Sequence, residues 1–314
     1  MAEIAENIND PENTTLRQAN AVPQRDVSAV VVSYHTGAIL AEALTALRGQ
    51  KALCEIILVD NGNPDGAVDD AIRKSEVAKN ANDYLVPLRV MSGHGNIGFA
   101  AACNLGVTET RGNYLFFCNP DAVPPRHAVA HLRARSDLLQ RPFLIAPKLV
   151  DKDGGEQQGS RRAYLTPWRA IVEALFLYRI MPSIDRFNRH KDPCPEELSL
   201  EDVISGACFF LPKDDYLKIK GMDEDYFLHV EDVDFCVRLA KAGGDVWFDP
   251  TLSVVHHQGS SKVTLKEIET HKARSLELYF RKHFDDRITP GGFALLSAGL
   301  KAASLGRQVL GGLR

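Results

Sequence analysis

Runs of consecutive apolar residues alternate with segments of helical periodicity along the first 120 residues. Four of these runs are predicted to be strands, at 27–33, 55–60, 84–91 and 114–118. The run at 27–33 has the β-branched character of a strand buried on both faces, and the runs at 55–60 and 114–118 are also predicted to be buried. The helical segments between them lie near 39–47, 68–78 and 99–108. Strands that alternate with helices in this order predict right-handed crossovers and a mainly parallel sheet.

The second half of the chain is predicted to be less regular. Its expected helices lie near 126–139, 231–241 and 265–284, and its expected strands near 143–149, 207–211, 245–248 and 253–256. The segment 167–189 combines basic, aromatic and apolar residues. For the aromatic residues Trp168, Phe176 and Tyr178, a surface helix with an apolar core face is one interpretation, and contact with sugar or lipid is the other.

The chain divides into a leader, one large domain and a tail. Residues 1–25 are polar and acidic and lack the apolar core of a signal peptide, so we expect a disordered leader. The domain is expected at 26–285, with halves at 26–122 and 123–285. The tail at 286–314 is apolar and basic. An amphipathic helix on a membrane surface and a helix packed on the domain both fit this tail.

Composition excludes several classes of protein. The 314 residues carry a net charge of −4 at pH 7, and because affinity for nucleic acid requires a basic surface, we expect no nucleic-acid partner. No apolar stretch reaches the roughly eighteen residues of a transmembrane helix. The six cysteines lack CxxC spacing, which indicates reduced thiols in a cytoplasmic protein rather than disulfides or a zinc site.

Two carboxylates follow predicted strands. Asp121 lies in the turn that begins at Asn119, and Asp60 ends the second strand. Carboxyl ends of strands are where open α/β folds bind ligands, and a carboxylate there can hold an oxygen-ligand cation with phosphates completing the coordination. Asp60 can instead accept a hydrogen bond from a base or ribose. The alternative for both residues is a turn-forming Asp that bonds its own backbone.

A glycine-rich segment runs from Gly93 to Gly98, directly before the helix predicted at 99–108. It resembles a phosphate-binding loop but lacks the Lys-Ser/Thr of a P-loop and the full dinucleotide fingerprint. Asn96 and Asn104 lie on either side of the helix start, where each can contact a ligand or cap the helix.

A second acidic cluster, Glu231, Asp232 and Asp234, opens the helix predicted at 231–241. Asp232 is the candidate general base, because a carboxylate within hydrogen-bond reach can take the proton of an attacking hydroxyl group. Residues 231 and 234 share a helix face that excludes 232, so not all three can serve one site. The alternative is acidic residues that stabilise the helix N-terminus. His256 ends a strand and is a candidate metal ligand or a polar strand terminus.

Seven short motifs follow one another along residues 26–260. They are Val32-Ser33-Tyr34, Leu58-Val59-Asp60-Asn61, Asn96-Ile97-Gly98-Phe99-Ala100, Asn119-Pro120-Asp121, Ser205-Gly206-Ala207, Gly221-Met222-Asp223-Glu224 and Glu231-Asp232-Val233-Asp234. This order resembles the family 2 glycosyltransferases, in the branch often called rhamnosyltransferase-like. The resemblance implies an α/β fold of GT-A type, with a mainly parallel nucleotide-binding sheet flanked by helices. The helix expected at 265–284 and the tail lie beyond the resemblance and are predicted to form a C-terminal helical extension.

The resemblance implies a donor pocket in residues 26–122, the nucleotide-sugar half. Tyr34 and Asp60 would hold the nucleotide base and ribose, and Asn96 and Gly98 would line the pocket of a nucleotide-diphosphate sugar. Asn119 stands where the family's DxD-type element has its first Asp, and it is counted with the donor-binding residues.

The resemblance also implies a cation and a base. Asp121 would ligate Mg²⁺ or Mn²⁺, and His256 would match a histidine ligand of some members, which favours Mn²⁺. Asp232 would be the base of a single in-line displacement that inverts the anomeric centre. Arg161 and Arg162, in the acceptor half at 123–285, would contact phosphate of the donor or of a lipid-linked acceptor.

These expectations describe a cytoplasmic, metal-dependent, inverting glycosyltransferase of cell-surface polysaccharide synthesis. Its acceptor would be a glycan or polyprenyl-linked glycan, and its donor a nucleotide-diphosphate sugar with rhamnose as first candidate. Under the membrane interpretation, its tail would make a peripheral membrane contact. A UDP-hexose or galactofuranosyl transferase is the alternative within the class. A non-catalytic nucleotide-binding module has no need of Asp232. A nucleotidyltransferase would need a basic phosphate-binding loop near the first strand, and residues 33–37 contain no Lys or Arg.

Overall fold

The computed structural model describes residues 24–76, 85–175, 177, 180–181, 184–259 and 263–311. Residues 1–23 of the predicted leader lie outside the described residues, and so do Phe176 and Tyr178. The predictions for the leader and for these two aromatic residues therefore stay predictions.

The described residues form eleven strands and nine helices. The strands are β1 Val27–Ser33, β2 Leu53–Asp60, β3 Leu88–Met91, β4 Tyr114–Cys118, β5 Ala122–Val123, β6 Phe143–Val150, β7 Arg161–Arg162, β8 Ser199–Leu200, β9 Val203–Ile204, β10 Cys208–Pro212 and β11 Asp245–His256. The helices are α1 Ile39–Arg48, α2 Ala67–Ser75, α3 Phe99–Thr108, α4 Ala128–Ser136, α5 Pro167–Ala174, α6 Lys213–Lys218, α7 Glu231–Lys241, α8 Leu265–Phe284 and α9 Pro290–Gly311.

One central sheet runs through both halves of the described chain in the order β3-β2-β1-β4-β10-β6-β11-β5, and β8 pairs with β11. The first four strands in this order are parallel to one another, which confirms the parallel sheet predicted for the nucleotide half. β10 runs antiparallel to both β4 and β6. The division of the domain between residues 122 and 123 stays a prediction.

Residues of β1 alternate between two apolar clusters, because successive side chains of a strand point to opposite faces of the sheet. Val30 and Val32 belong to the cluster that contains α3 and α7 residues, and Ala29 and Val31 to the cluster that contains α1 and α4 residues. All seven residues of β1 are buried. The apolar run at 27–33 is therefore a strand covered on both faces, as predicted.

β11 differs from the prediction of two separate strands at 245–248 and 253–256. It is one strand of 12 residues, parallel to β6, with a register irregularity between Asp249 and Ser253. The predicted break corresponds to this irregularity, and pairing with β6 on both sides keeps the strand continuous. The helix predicted at 126–139 is also shorter, and at its end the Ser136 hydroxyl donates to the Arg133 carbonyl.

The two C-terminal helices form the predicted helical extension. Thr264 and Glu267 form a capping box at the start of α8. α9 packs against α8, burying Phe293 and Leu300, and Arg307 pairs with Glu269 at 2.6 Å. Over the described residues, no helix has the length and apolar character needed to cross a membrane.

Candidate active site at the carboxyl edge of the sheet

The candidate residues lie along one edge of the sheet because the strands that carry them end there. β1, β2 and β4 are parallel and end at Ser33, Asp60 and Cys118. β10 runs the opposite way, so its first residue, Cys208, pairs with Cys118 at this same edge. Parallel strands necessarily place their carboxyl ends together, and the sequence therefore predicted the edge correctly.

Asp60 organises the turn that follows β2. Its Oδ1 accepts hydrogen bonds from the backbone N–H of Gly62 at 3.2 Å, the backbone N–H of Asn63 at 2.9 Å and the Asn63 side-chain amide at 2.7 Å. The turn-forming interpretation of Asp60 is thus realised. A ligand contact through the other carboxylate oxygen is compatible with it, and that role stays a prediction.

Asn61, which the sequence pattern placed in a motif but not among the site residues, joins the end of β2 to the glycine-rich loop. Its side-chain N–H donates to Asn96 Oδ1 at 3.0 Å, and its Oδ1 accepts from the Ile97 backbone N–H at 3.1 Å. Gly62 lies beneath the Tyr34 ring, since a Cβ at Gly62 would be 3.5 Å from that ring. The predicted donor-binding residues Tyr34, Asp60 and Asn96 are therefore neighbours.

Gly98 allows the loop before α7 to approach the start of α3. Its φ of +88° lies in a region that side chains other than glycine rarely adopt. A Cβ at Gly98 would be 2.8 Å from the Phe227 carbonyl oxygen, which accepts from the Phe99 N–H at 2.9 Å. The backbone of Phe227 thus contacts the predicted donor-binding residue Gly98, four residues before the acidic cluster of α7.

Asp121 and His256, the two predicted metal ligands, lie side by side. β5 pairs with the end of β11, which brings His256 Nε2 to 3.1 Å from Asp121 Oδ1. Both side chains are at most 10% exposed. On the other side of the ring, His256 Nδ1 lies 2.9 Å from Gln157 Oε1, and the Gln157 amide donates to the His256 carbonyl.

The Asp121–His256 pair fits a divalent cation. The amide donation from Gln157 leaves Oε1 as the atom that faces His256 Nδ1, and Nε2 is the ring nitrogen directed at Asp121. Such an orienting partner is typical of metal-bound histidines. Within the described residues there is no cluster of three or more His, Cys, Asp or Glu side chains suited to a metal. A cation here would therefore rely on two protein ligands and on oxygen atoms of a bound substrate.

Asp232 is held by three hydrogen bonds at the start of α7. Its Oδ2 accepts from the Gly206 backbone N–H at 2.8 Å and from Arg162 Nη2 at 2.5 Å, and its Oδ1 accepts from the Val233 N–H at 2.8 Å. A side chain at position 206 would crowd Asp232, because a Cβ there would be 3.0 Å from Asp232 Cβ. The closeness of Asp232 to the sheet edge thus depends on this glycine.

The pKa values of the two adjacent carboxyl groups at the start of α7, those of Glu231 and Asp232, are shifted in opposite directions. Burial would raise the pKa of Asp232, but the Arg162 guanidinium and the hydrogen bonds hold it below its usual value. Burial, followed by the neighbouring Asp232 charge, raises the pKa of Glu231 to about 8. Its Oε2 has no hydrogen-bond partner within the described part of the chain. At neutral pH the site therefore holds an ionised Asp232 beside a largely protonated Glu231.

Asp234 has a structural role. It is 1% exposed, pairs with Arg238 at 2.6 Å and with His283 at 2.8 Å, and so joins α7 to α8. Arg161 is likewise buried in an ion pair with Glu156, and its contact with a phosphate stays a prediction. Asp234 thus has ion-pair partners other than those of Asp232, and Arg162 is the arginine that contacts Asp232.

A short segment of three residues connects the two parts of the site. On one side the Ala207 carbonyl accepts from the Asn119 N–H at 2.7 Å, and on the other the Gly206 N–H binds Asp232. The element with Asn119 and Asp121 and the candidate base therefore flank the same strand start. Asn104, by contrast, binds Met222 and Tyr216 and supports the loop between α6 and α7.

The chain is similar in sequence to glycosyltransferases. The sequence model described as glycosyl transferase family 2 matches residues 28–168. The N-acetylglucosaminyl-diphospho-decaprenol L-rhamnosyltransferase of Mycobacterium tuberculosis is 24% identical over 258 residues, 74% of this chain and 76% of that protein. Rhamnosyltransferase WbbL of Escherichia coli is 31% identical over 72 residues, 22% of this chain and 27% of that protein.

A solved structure shares the fold. The mannosyltransferase PcManGT from Pyrobaculum calidifontis, in complex with GDP-Man and Mn²⁺, superposes with a TM-score of 0.53 at 16% identity. The superposition covers 92% of this chain and 74% of that chain. The predicted GT-A type of α/β fold is therefore confirmed.

Proposed function

The chain belongs to glycosyl transferase family 2, on its rhamnosyltransferase-like side, and we propose that it is an inverting, metal-dependent enzyme. It would move a sugar from a nucleotide-diphosphate donor to a hydroxyl group of a glycan or polyprenyl-linked glycan. Its place would be cell-surface polysaccharide synthesis on the cytoplasmic side of a membrane. Rhamnose is the first candidate sugar, since two relatives are rhamnosyltransferases by name.

One observation carries this proposal: the segment Ser205–Ala207 bonds the turn of Asp121 on one side and Asp232 on the other. A donor that lies along the sheet edge from Tyr34 to Asp121 would present its anomeric carbon near this segment. An acceptor hydroxyl group on the Asp232 side could then attack in line with the departing diphosphate. The arrangement supports a single displacement, which needs no covalent intermediate on the protein.

Different residues of the chain would have separate roles in this reaction. Tyr34, Asp60 and Asn96 would orient the nucleotide, and Asp232 would take the proton of the acceptor hydroxyl group as its oxygen bonds to the anomeric carbon. A divalent cation held by Asp121 and His256 would stabilise the negative charge of the departing nucleoside diphosphate. The lowered pKa of Asp232 keeps this base ionised at neutral pH and ready to accept a proton.

Two alternatives remain distinguishable by experiment. A UDP-hexose or galactofuranosyl transferase would use the same residues with another donor, and PcManGT, whose complex holds GDP-Man, illustrates the range of donors within the fold. A non-catalytic nucleotide-binding module would bind the donor and transfer nothing. The position of Asp232 at the sheet edge favours the enzyme, because a binding module has no use for a base there.

Peripheral membrane contact through the tail is part of the proposal. α9 covers α8 with Phe293 and Leu300, but it exposes Leu295 at 77% and Leu305 at 62%. It carries no acidic residue, and Lys301 is exposed, whereas Arg307 pairs with Glu269 of α8. An exposed apolar face with a lysine beside it suits the interface of an anionic membrane, where a polyprenyl-linked acceptor would also lie.

The test is calorimetric binding of dTDP, UDP and GDP to the purified protein, with Mn²⁺, with Mg²⁺ and with a chelator. We expect one nucleotide to bind in the presence of the cation, and Asp121→Asn to weaken that binding at least tenfold because one of two ligands is lost. Ser136→Ala, far from the edge, is the matched control. Binding that is independent of cation, or equal in Asp121→Asn, would contradict the proposed metal site, and no binding at all would contradict the donor site.

A further inference from the structure

Arg162 makes the closest polar contact to the candidate base. Its Nη2 donates both to Asp232 Oδ2 and to the Ile204 carbonyl, each at 2.5 Å. Arg162 belongs to β7, which pairs with β9, and its guanidinium lies 5.5 Å from the centre of the Phe187 ring. Strand pairing, the Ile204 carbonyl and the Phe187 ring therefore hold this arginine in one place.

The hydrogen bonds of Asp232 use its two carboxylate oxygens unequally. Each oxygen offers two lone pairs. Oδ2 accepts from both Gly206 and Arg162 and is saturated, whereas Oδ1, among the residues that the structure describes, accepts from the Val233 N–H alone. One lone pair of the carboxylate, on Oδ1, stays available for a substrate proton.

We propose that Arg162 is a positioning residue for Asp232. Arg162 and the Gly206 N–H together saturate Oδ2 of Asp232, and Oδ1 is therefore the oxygen that takes the acceptor proton. The inference rests on the proposed function of Asp232. In the reaction the proton passes from the acceptor hydroxyl group to Oδ1, and the acceptor oxygen bonds to the anomeric carbon. The bond from that carbon to the diphosphate oxygen breaks, and its electron pair leaves with the nucleoside diphosphate.

Charge supports the same role. Asp232 and Arg162 are 14% and 12% exposed, so their attraction is only partly screened by water. The Arg162 charge is the first influence that lowers the pKa of Asp232 against the opposing effect of burial. Removal of the guanidinium would leave a buried carboxylate that binds protons more tightly.

The experiment compares Arg162→Met and Arg162→Lys with Arg169→Met. Arg169 lies in α5, seven residues after Arg162, and pairs with Asp185. Its loss therefore removes a similar cation without affecting the contacts of Asp232. For Arg162→Met we expect kcat to fall about tenfold to hundredfold, because a displaced catalytic group loses its orientation, with the donor KM changed less than about twofold. The acidic limb of the pH profile of kcat should move to higher pH.

The other variants sharpen the result. Arg162→Lys should restore the position of the acidic limb but not the full kcat, since an ammonium group cannot reproduce the planar fork of arginine. Arg169→Met should keep the profile of the wild type. An unchanged kcat and acidic limb in Arg162→Met, or an equal loss in Arg169→Met, would overturn the proposal. If Arg162→Met does not fold, the kcat of Arg162→Lys decides, and a wild-type value overturns the proposal.

A second readout works without turnover. The ¹³C resonance of the Asp232 carboxyl carbon is identified by its absence in Asp232→Asn, and its titration is followed in each variant. A midpoint that moves to higher pH in Arg162→Met, or in Arg162→Gln if the former does not fold, supports the positioning role; an unchanged midpoint overturns it. Wild-type protein that transfers no sugar from any donor would refute the proposed function, and this titration would still decide the role of Arg162.

Discussion

Replacing Gly206 with alanine tests whether the distance between Asp232 and the sheet edge matters for catalysis. The new Cβ would lie 3.0 Å from Asp232 Cβ and 3.4 Å from Oδ2. Its backbone φ is outside the left-handed region, so alanine brings no conformational strain of its own. The expected effect of the substitution is therefore a steric displacement of the Asp232 side chain.

The size of that displacement follows from ordinary carbon–carbon contacts. Non-bonded carbons prefer about 3.5–4.0 Å, so the two Cβ atoms must separate by about 0.5–1 Å. A shift of that size stretches the bond from the Gly206 N–H to Oδ2, now 2.8 Å, and a displacement of about 1 Å costs a catalytic group about a hundredfold in rate. The free energy of unfolding should fall by about 1–3 kcal/mol, as for other overpacked sites.

The assay measures kcat with a saturating donor and the nucleotide dissociation constant of the same preparation. We expect kcat to fall about a hundredfold, with nucleotide affinity changed less than about twofold, because the donor residues lie on other strands. Gly49→Ala is the matched control, since the nearest atom to its Cβ would be 3.7 Å away, and at such a compatible position alanine adds about 0.4–1 kcal/mol of stability.

Two results would refute the reasoning. A kcat within about threefold of the wild type, against the expected hundredfold loss, would mean that Asp232 can move without consequence and is not the base. A loss of nucleotide affinity that matches the loss of kcat would mean that the segment at Gly206 belongs to the donor pocket rather than to the base.

Three further predictions follow from the same site. Asp232→Asn should lower sugar transfer by about 10²–10⁴-fold and leave nucleotide binding intact in calorimetry; a variant that still transfers would exclude Asp232 as base. Protonated Glu231 stabilises the fold, fully so below its unfolded pKa of about 4.3, and this stability is lost as the pH rises through about 8. Between pH 6 and 9, the free energy of unfolding measured by urea denaturation should therefore fall by an amount on the order of 2 kcal/mol in the wild type but not in Glu231→Gln. The same dependence of this free energy on pH in both proteins would contradict the raised pKa. Deleting residues 290–314 should abolish flotation with anionic liposomes, and equal flotation of both forms would remove the tail from the proposal.

Local sequence pattern predicted the elements that carry the site. The helices at Phe99–Thr108, Glu231–Lys241 and Leu265–Phe284 have their predicted bounds, because helical periodicity and end signals such as the Thr264–Glu267 capping box are properties of adjacent residues. The common edge for Asp60 and Asp121 was also predictable, since parallel strands place their carboxyl ends together. The short strands β7 and β9 were not predicted, because two residues carry no period.

The contacts inside the site depended on tertiary structure. Gln157 has no motif around it, and only the pairing of β5 with β11 brings His256 into the position between it and Asp121. Sequence reasoning treated Arg161 and Arg162 alike, yet their side chains point to opposite faces of β7, one to Glu156 and the other to Asp232.

The sequence by itself therefore determined the kind of fold, the edge at which chemistry can occur and the residue types present there. The tertiary structure decided which of those residues meet, and with what partners. The physical reason is that propensity and periodicity act over a few residues, whereas the register between distant strands follows from packing of the whole sheet. Asp232 and Arg162 are 70 residues apart in sequence, and only that packing makes them a pair.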